Sequence, residues 1–193
     1  MLSLFTRCAS CLIFLLSMLV VSGQSKASDD ATKPVKTVIT LIRNGNDGQV
    51  FKYVDMNGVS RYLLGDYYGK ATKEQLTEFN SLFQTVFAKM AFPRIRENFK
   101  DVSAITYETP EVEGSRAKVG STIFIKHPLK TQEMKLKYTL VKTASGWKLT
   151  DVAVLGDSMM ESIRDDQVRP LLAAGGMEKL LEALRAKKKE LSR

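Results

Sequence analysis

The spacing of apolar residues changes twice along this chain, and that constrains the fold more than any other feature. From Val35 to about residue 100 they recur at three- and four-residue steps, as on one face of a helix. Between about 102 and 155 they alternate, as in a strand with one wet face. After Gly156 the helical step returns. The order predicts an α+β fold: an antiparallel four-stranded sheet with helices packed on one face.

The helical half divides at recognisable signals. Val35, Val38, Ile39, Leu41 and Ile42 follow Pro34, and Asn44-Gly45-Asn46-Asp47-Gly48 ends that helix in a loop. A second helix starts near Asn57 or Gly58 and reaches about Tyr68, with Gly69 as its C-cap. Thr72-Lys73-Glu74-Gln75 has the capping-box pattern. The helix it opens carries Leu76, Phe79, Leu82, Phe83, Val86, Phe87 and Met90 on one face. Pro93 ends or kinks it, and 94–100 reads as one more helical segment.

Strands are predicted near 102–109, 117–126, 134–142 and 147–155. Val119, Ser121, Ile123 and Ile125 share one face, as do Met134, Leu136, Tyr138 and Leu140. Short links, such as Ala144-Ser145-Gly146, make the pairings antiparallel hairpins. The final helical stretch begins at Met159 and breaks at Gly175-Gly176. It closes with Leu180, Leu181 and Leu184 inward and Lys187-Lys188-Lys189 outward.

The first residues read as an export signal. Arg7 is followed by an apolar run from Leu12 to Val21, broken only by Ser17, and then by Ser25-Lys26-Ala27. The run is shorter than the roughly 18 apolar residues of a membrane span. We therefore expect residues 1–27 to be a cleavable signal, 28–33 a disordered leader, and 34–193 one domain. Cys8 and Cys11 both fall in the signal, so the mature chain is expected to have no thiol chemistry and no lipid anchor. The whole chain carries a net charge of +8, of which Arg7 and Lys26 would leave with the signal. Outside the cytoplasm, that charge suits anionic lipid surfaces or an acidic partner rather than nucleic acid. An ordinary solvated basic surface is the competing reading.

Few catalytic constellations are open. His127 is the sole histidine and precedes Pro128 in an expected hairpin loop. Zinc-type sites lack their Cys and His ligands. Asp165 and Asp166 are adjacent on a helix and do not share a face. Gly175-Gly176 reads as a helix break rather than a phosphate-binding nest. No catalytic residue and no metal site is expected. What remains is an abundance of apolar side chains. They fill an ordinary core, or they line a slot between helices and sheet that holds an apolar ligand. Each buried methylene contributes about 0.8 kcal/mol, so such a slot could hold acyl chains without polar chemistry.

Two stretches carry a resemblance. The first runs from Val54-Asp55-Met56-Asn57-Gly58 through Tyr62-Leu63-Leu64-Gly65-Asp66-Tyr67-Tyr68 to Ala71-Thr72, Gln75, Phe79 and Phe83. The second is Trp147-Lys148-Leu149-Thr150-Asp151-Val152-Ala153-Val154-Leu155-Gly156-Asp157-Ser158. It is followed by Arg164 and a terminal Gly-Met-Glu-x-Leu-Leu-x-x-Leu segment. Together they resemble the MlaC family of periplasmic phospholipid-binding proteins, also called toluene-tolerance proteins.

That resemblance implies an apolar pocket between sheet and helices, with bound phospholipid as cargo and no other cofactor. It implies a monomeric periplasmic shuttle between an outer-membrane lipoprotein/porin complex and an inner-membrane Mla ABC transporter with an MCE-domain subunit. A related branch implies a hopanoid-like cargo instead. The expected pocket residues are Val59, Leu63, Tyr67, Phe79, Phe83, Phe87, Ile123, Ile125, Tyr138, Leu140, Val154 and Met159. Val54, Asp157, Ile163 and Val168 depart from the family pattern and bear on the cargo. The rivals are an exported pocket enzyme using Asp55 or Asp151, otherwise a helix cap and a strand anchor, and a cargo-free interaction module.

Overall fold

In the computed structural model, residues 22–126 and 132–193 are described. The apolar run and His127 both lie outside them. Six helices and a six-stranded sheet follow in the expected order among these residues.

Helix α1 spans Ser22–Arg43. It presents Ala31, Val35, Val38, Ile39 and Ile42 to the core. Residues 28–33, expected to be a disordered leader, are part of this helix. Ala31 and Thr32 are buried, and Asp30 pairs with Lys33 one turn on. Pro34 sits inside the helix and withholds one N–H from its ladder. A short α2 (Asp47–Val50) and a 3₁₀ turn (Phe51–Tyr53) lead to α3, Met56–Leu64. Here the glycine expected at residue 69 is replaced by an earlier one. Gly65, with φ +53, caps α3, and a 3₁₀ turn then carries the chain through Tyr67.

Helix α4 is a single element, Lys73–Phe99, and not two segments divided at Pro93. Its start has both halves of the capping box. The Gln75 N–H donates to Thr72 Oγ1 at 3.2 Å, and the Thr72 N–H donates to Gln75 Oε1 at 3.0 Å. Beyond Pro93 the helix continues because its next turns still bury apolar side chains. Phe92 is 2% exposed, and Ile95 and Phe99 pack beside it. That packing outweighs the lost hydrogen bond.

The strands are β1 (Val102–Tyr107), β2 (Glu111–Glu113), β3 (Arg116–Ile125), β4 (Gln132–Thr143), β5 (Gly146–Val154) and β6 (Asp157–Ser158). Their order is β1-β3-β4-β5-β6, with β2 also on β3, and all pair antiparallel. The sheet therefore has six strands rather than four. The additions, β2 and β6, are too short to show an alternation.

Register places Ala117 opposite Leu140, Val119 opposite Tyr138 and Ile123 opposite Met134 on the inner face. On β5 the register slips. Thr139 faces Asp151 whereas Leu140 faces Leu149, so Thr150 is an extra, bulged residue. The bulge keeps Val152 and Val154 on the inner face, where strict alternation from Leu149 would turn them outward. On its free side, β5 is met by the Asp55 N–H, which donates to the Leu149 carbonyl at 2.8 Å.

The β5–β6 hairpin turns through Leu155 and Gly156, at φ +54 and +104. Positive φ at both centres is what a two-residue type I′ turn requires. Leu155 is the one non-glycine with positive φ among the described residues. The left-handed region costs such a side chain about 1–2 kcal/mol. Helix α5 (Met159–Ile163) follows, then a π-helical turn (Arg164–Val168), then α6 (Arg169–Glu190). Helix α6 is interrupted at Gly175-Gly176, the break the sequence predicts, and Gly176 has φ +64.

Two apolar cores result. One joins α1 and the sheet; the other joins α3, α4, α5 and α6. Helix α4 runs through both. Its Phe79, Phe83 and Phe87 stack in series with centroids 5.7 Å apart, and Phe87 meets Phe92 edge-on at 5.8 Å. Arg185 on α6 clamps Glu78 on α4 through two hydrogen bonds of 2.7 and 2.8 Å.

Candidate functional site

The seam between the two cores is not closed. It holds a cavity of about 280 Å³, near the lower end of the roughly 300–1,000 Å³ typical of small-molecule sites. The sheet supplies Ile123, Met134, Leu136, Tyr138, Leu149, Val152 and Val154. Helix α4 faces them with Phe83, Phe87, Phe92, Ile95 and Phe99. Val38, Ile39 and Ile42 of α1 close one side, with Phe51 and Val54. Val59, Met159 and Met160 close the other. The polar residues in the lining are Asn98, Thr150, Asp151 and Tyr138.

Three of these polar groups have local partners. Tyr138 accepts a hydrogen bond from the buried Ser121 hydroxyl at 3.3 Å. Burial pushes its phenol up to about 12, with the Ser121 bond opposing the shift. Thr150 Oγ1 donates to the Thr139 carbonyl, which fixes the bulge. Asp151 accepts the Met160 N–H at 3.0 Å and so ties β5 to the start of α5. The anchor role expected for Asp151 is therefore filled. Asp55, expected to cap α3, stands at the N-cap but makes no side-chain cap bond. Its carboxylate instead lies against Gly58, where it would collide with any Cβ.

Of the residues expected in a pocket, Val59, Phe83, Phe87, Ile123, Tyr138, Val154 and Met159 line the cavity. The others do not. Leu63 and Phe79 are buried within the helical core, and Tyr67 packs against it. Ile125 is half-buried at the end of β3, opposite Val102. Leu140 is fully buried within the sheet core, opposite Leu149, which does line the cavity. One physical reason covers all five: periodicity reports which face is inward, but not whether that face meets a packed side chain or a void.

The wall contributed by α1 was missed, though its stripe was visible, because one apolar stripe looks like any other. Phe92, Ile95 and Phe99 are absent from the expected wall because Pro93 is expected to end or kink the helix, with 94–100 a separate segment. Of the four departures, Val54 alone lines the cavity. Ile163 and Val168 belong to the helical core, and Asp157 is exposed in β6.

A second, polar cavity of about 620 Å³ adjoins the first and shares Val59, Thr150, Asp151 and Met160 with it. There Glu111 stands opposite Lys118, and Glu113 opposite Arg116. Elsewhere Asp165 is clamped by Arg164 at 2.8 and 3.0 Å, and that guanidinium holds its carboxyl below the ordinary range. Arg164 also stacks on Tyr62 at 4.6 Å. Among the described residues, no three His, Cys, Asp or Glu side chains come together as metal ligands would. No described helix is long and apolar enough to cross a membrane.

Compared with known proteins, residues 26–186 match the family model described as MlaC protein. No curated protein sequence matches. Among solved structures, the chain is similar to the phospholipid-binding protein from Ralstonia solanacearum, determined in complex with a phospholipid. The TM-score is 0.68 at 20% identity, covering 86% of this chain and 99% of that one. At that identity the likeness is one of fold.

Proposed function

This chain belongs to the MlaC protein family, and we propose that it is a lipid carrier that holds phospholipid acyl chains in the cavity between sheet and helices. The observation that carries the reading is the cavity itself. An unfilled apolar space on the seam of two otherwise well-packed cores forfeits dispersion contacts. Acyl chains restore those contacts and leave water with the hydrocarbon, at about 0.8 kcal/mol per methylene. The phospholipid-bound structure of similar fold supports the same cargo.

The activity is binding and release, with no bond made or broken. Tyr138, Thr150 and Asp151 at the cavity have structural partners, which favours a carrier over an exported pocket enzyme. We place the protein in the periplasm, exported by residues 1–27. There it would move lipid between an outer-membrane lipoprotein complex and an inner-membrane Mla-type ABC transporter with an MCE-domain subunit. A hopanoid-like lipid is the alternative cargo, and Val54 is the wall residue on which that choice turns.

Native mass spectrometry of freshly purified protein tests the reading. The expected spectrum shows the chain with one bound lipid, identified after extraction. Protein that is empty, and that stays empty after incubation with phospholipid vesicles, refutes it.

A further inference from the structure

The β5–β6 hairpin has a feature that neither folding nor the cavity needs. Its turn places a leucine where geometry favours asparagine, aspartate or glycine. Leu155 sits at φ +54 and is 72% exposed, the most exposed large apolar side chain among the described residues. It thus carries backbone strain and an unburied side chain at the same position. Burial in this chain cannot be the reason for keeping it.

The hairpin's position suggests one. Val154, just before the turn, and Met159, just after β6, both line the apolar cavity. The Leu155 N–H donates to the Lys135 carbonyl at 3.0 Å, which holds the tip against the end of β4. Exposed Lys135 and Lys137 flank it there, and neither makes an ion pair among the described residues. Glu133 and Asp157 are also at this end, so local charge is balanced. Attraction to an anionic surface therefore comes from the net charge, which is +8 for the whole chain and +6 once Arg7 and Lys26 leave with the signal, and the tip supplies the contact.

We infer that the Leu155 hairpin is a membrane-contact element: it inserts its apolar tip among the headgroups of an anionic bilayer, beside the cavity. This deepens the carrier reading and rests on it for its purpose, since lipid loaded at a bilayer must leave near the cavity wall. The tip is rigid, because its turn is closed on both sides by strand pairing.

Flotation with mixed phosphatidylethanolamine–phosphatidylglycerol vesicles tests it, using wild-type protein, Leu155→Asn and Leu155→Phe. Asparagine tolerates the turn, so Leu155→Asn should melt about 2–4 °C higher. The same variant should bind vesicles about tenfold more weakly, having lost the insertable side chain. Leu155→Phe should bind as wild type does. Because stability and binding move in opposite directions, loss of contact is separated from loss of fold. Wild-type protein that does not float, or Leu155→Asn that floats as well as wild type, overturns the inference and leaves the tip to a protein partner. Lipid content, measured on the same preparations, keeps the two readings apart. Lipid-filled protein with no tip dependence removes only the membrane contact. Empty protein with a tip-dependent float removes only the carrier.

Discussion

Tyr138 is the residue at which cavity and core meet. Its ring lines the cavity, while its hydroxyl is held by Ser121 within the sheet. Its folded pKa of about 12 lies above the ordinary 10.0. The unfolded chain therefore loses this proton first as pH rises. The stabilisation is complete below pH 10 and is lost as pH climbs toward 12, by about 2–3 kcal/mol in all. Denaturant titrations across that range should show the fall, and Tyr138→Phe should flatten it. At neutral pH the same variant leaves Ser121 buried without its partner, at a cost of about 1 kcal/mol. Wall and core should also part at this scale. Phe79→Ala deletes a fully buried ring and should lose about 3–5 kcal/mol in a denaturant melt. Val54→Trp points bulk into space already empty. It should keep the fold by circular dichroism and lose most of the co-purifying lipid by mass spectrometry.

Among the elements, α4 best shows what a sequence displays. Its capping box was legible because Thr72 and Gln75 satisfy each other across one turn, a local arrangement needing no tertiary contact. Thr72→Ala should therefore cost about 1 kcal/mol, measured by thermal melting. The far end of α4 was not legible. Pro93 is a local stop signal, and only packing of Phe92, Ile95 and Phe99 against another element overrides it. The same distinction covers the strands. The four long ones announce themselves by alternation, whereas β2 and β6 exist because longer partners template them. The bulge at Thr150 is likewise tertiary, since nothing in Leu149-Thr150-Asp151 marks an inserted residue until β4 sets the register.

For the whole molecule, layer order and the inner sheet face follow from periodicity, and the cavity does not. A void is a difference between two surfaces that the chain brings together from residues far apart, such as Ile42, Phe87 and Leu136. That is why the inward faces were read correctly and the list of wall residues only in part. If the void is a cargo site, the molecule should be measurably incomplete without cargo. Delipidated protein should melt several degrees below the lipid-bound form, and adding phospholipid back should restore the difference, because a ligand bound only by the native state stabilises it by mass action. The single tryptophan gives an independent optical readout. Trp147 is 7% exposed in the sheet core, so its emission should shift to the red on global unfolding.

The chain's two cores, with the cavity on their seam, have a consequence for how such a protein changes over generations. Residues that close each core, such as Phe79 or Leu140, are constrained by close packing on all sides. Residues facing the void have one side free and can grow or shrink with little loss of fold. Variation can therefore accumulate at wall positions such as Val54 while the scaffold is inherited intact. The chemistry of the passenger and the heritable architecture of the vehicle can drift on separate clocks.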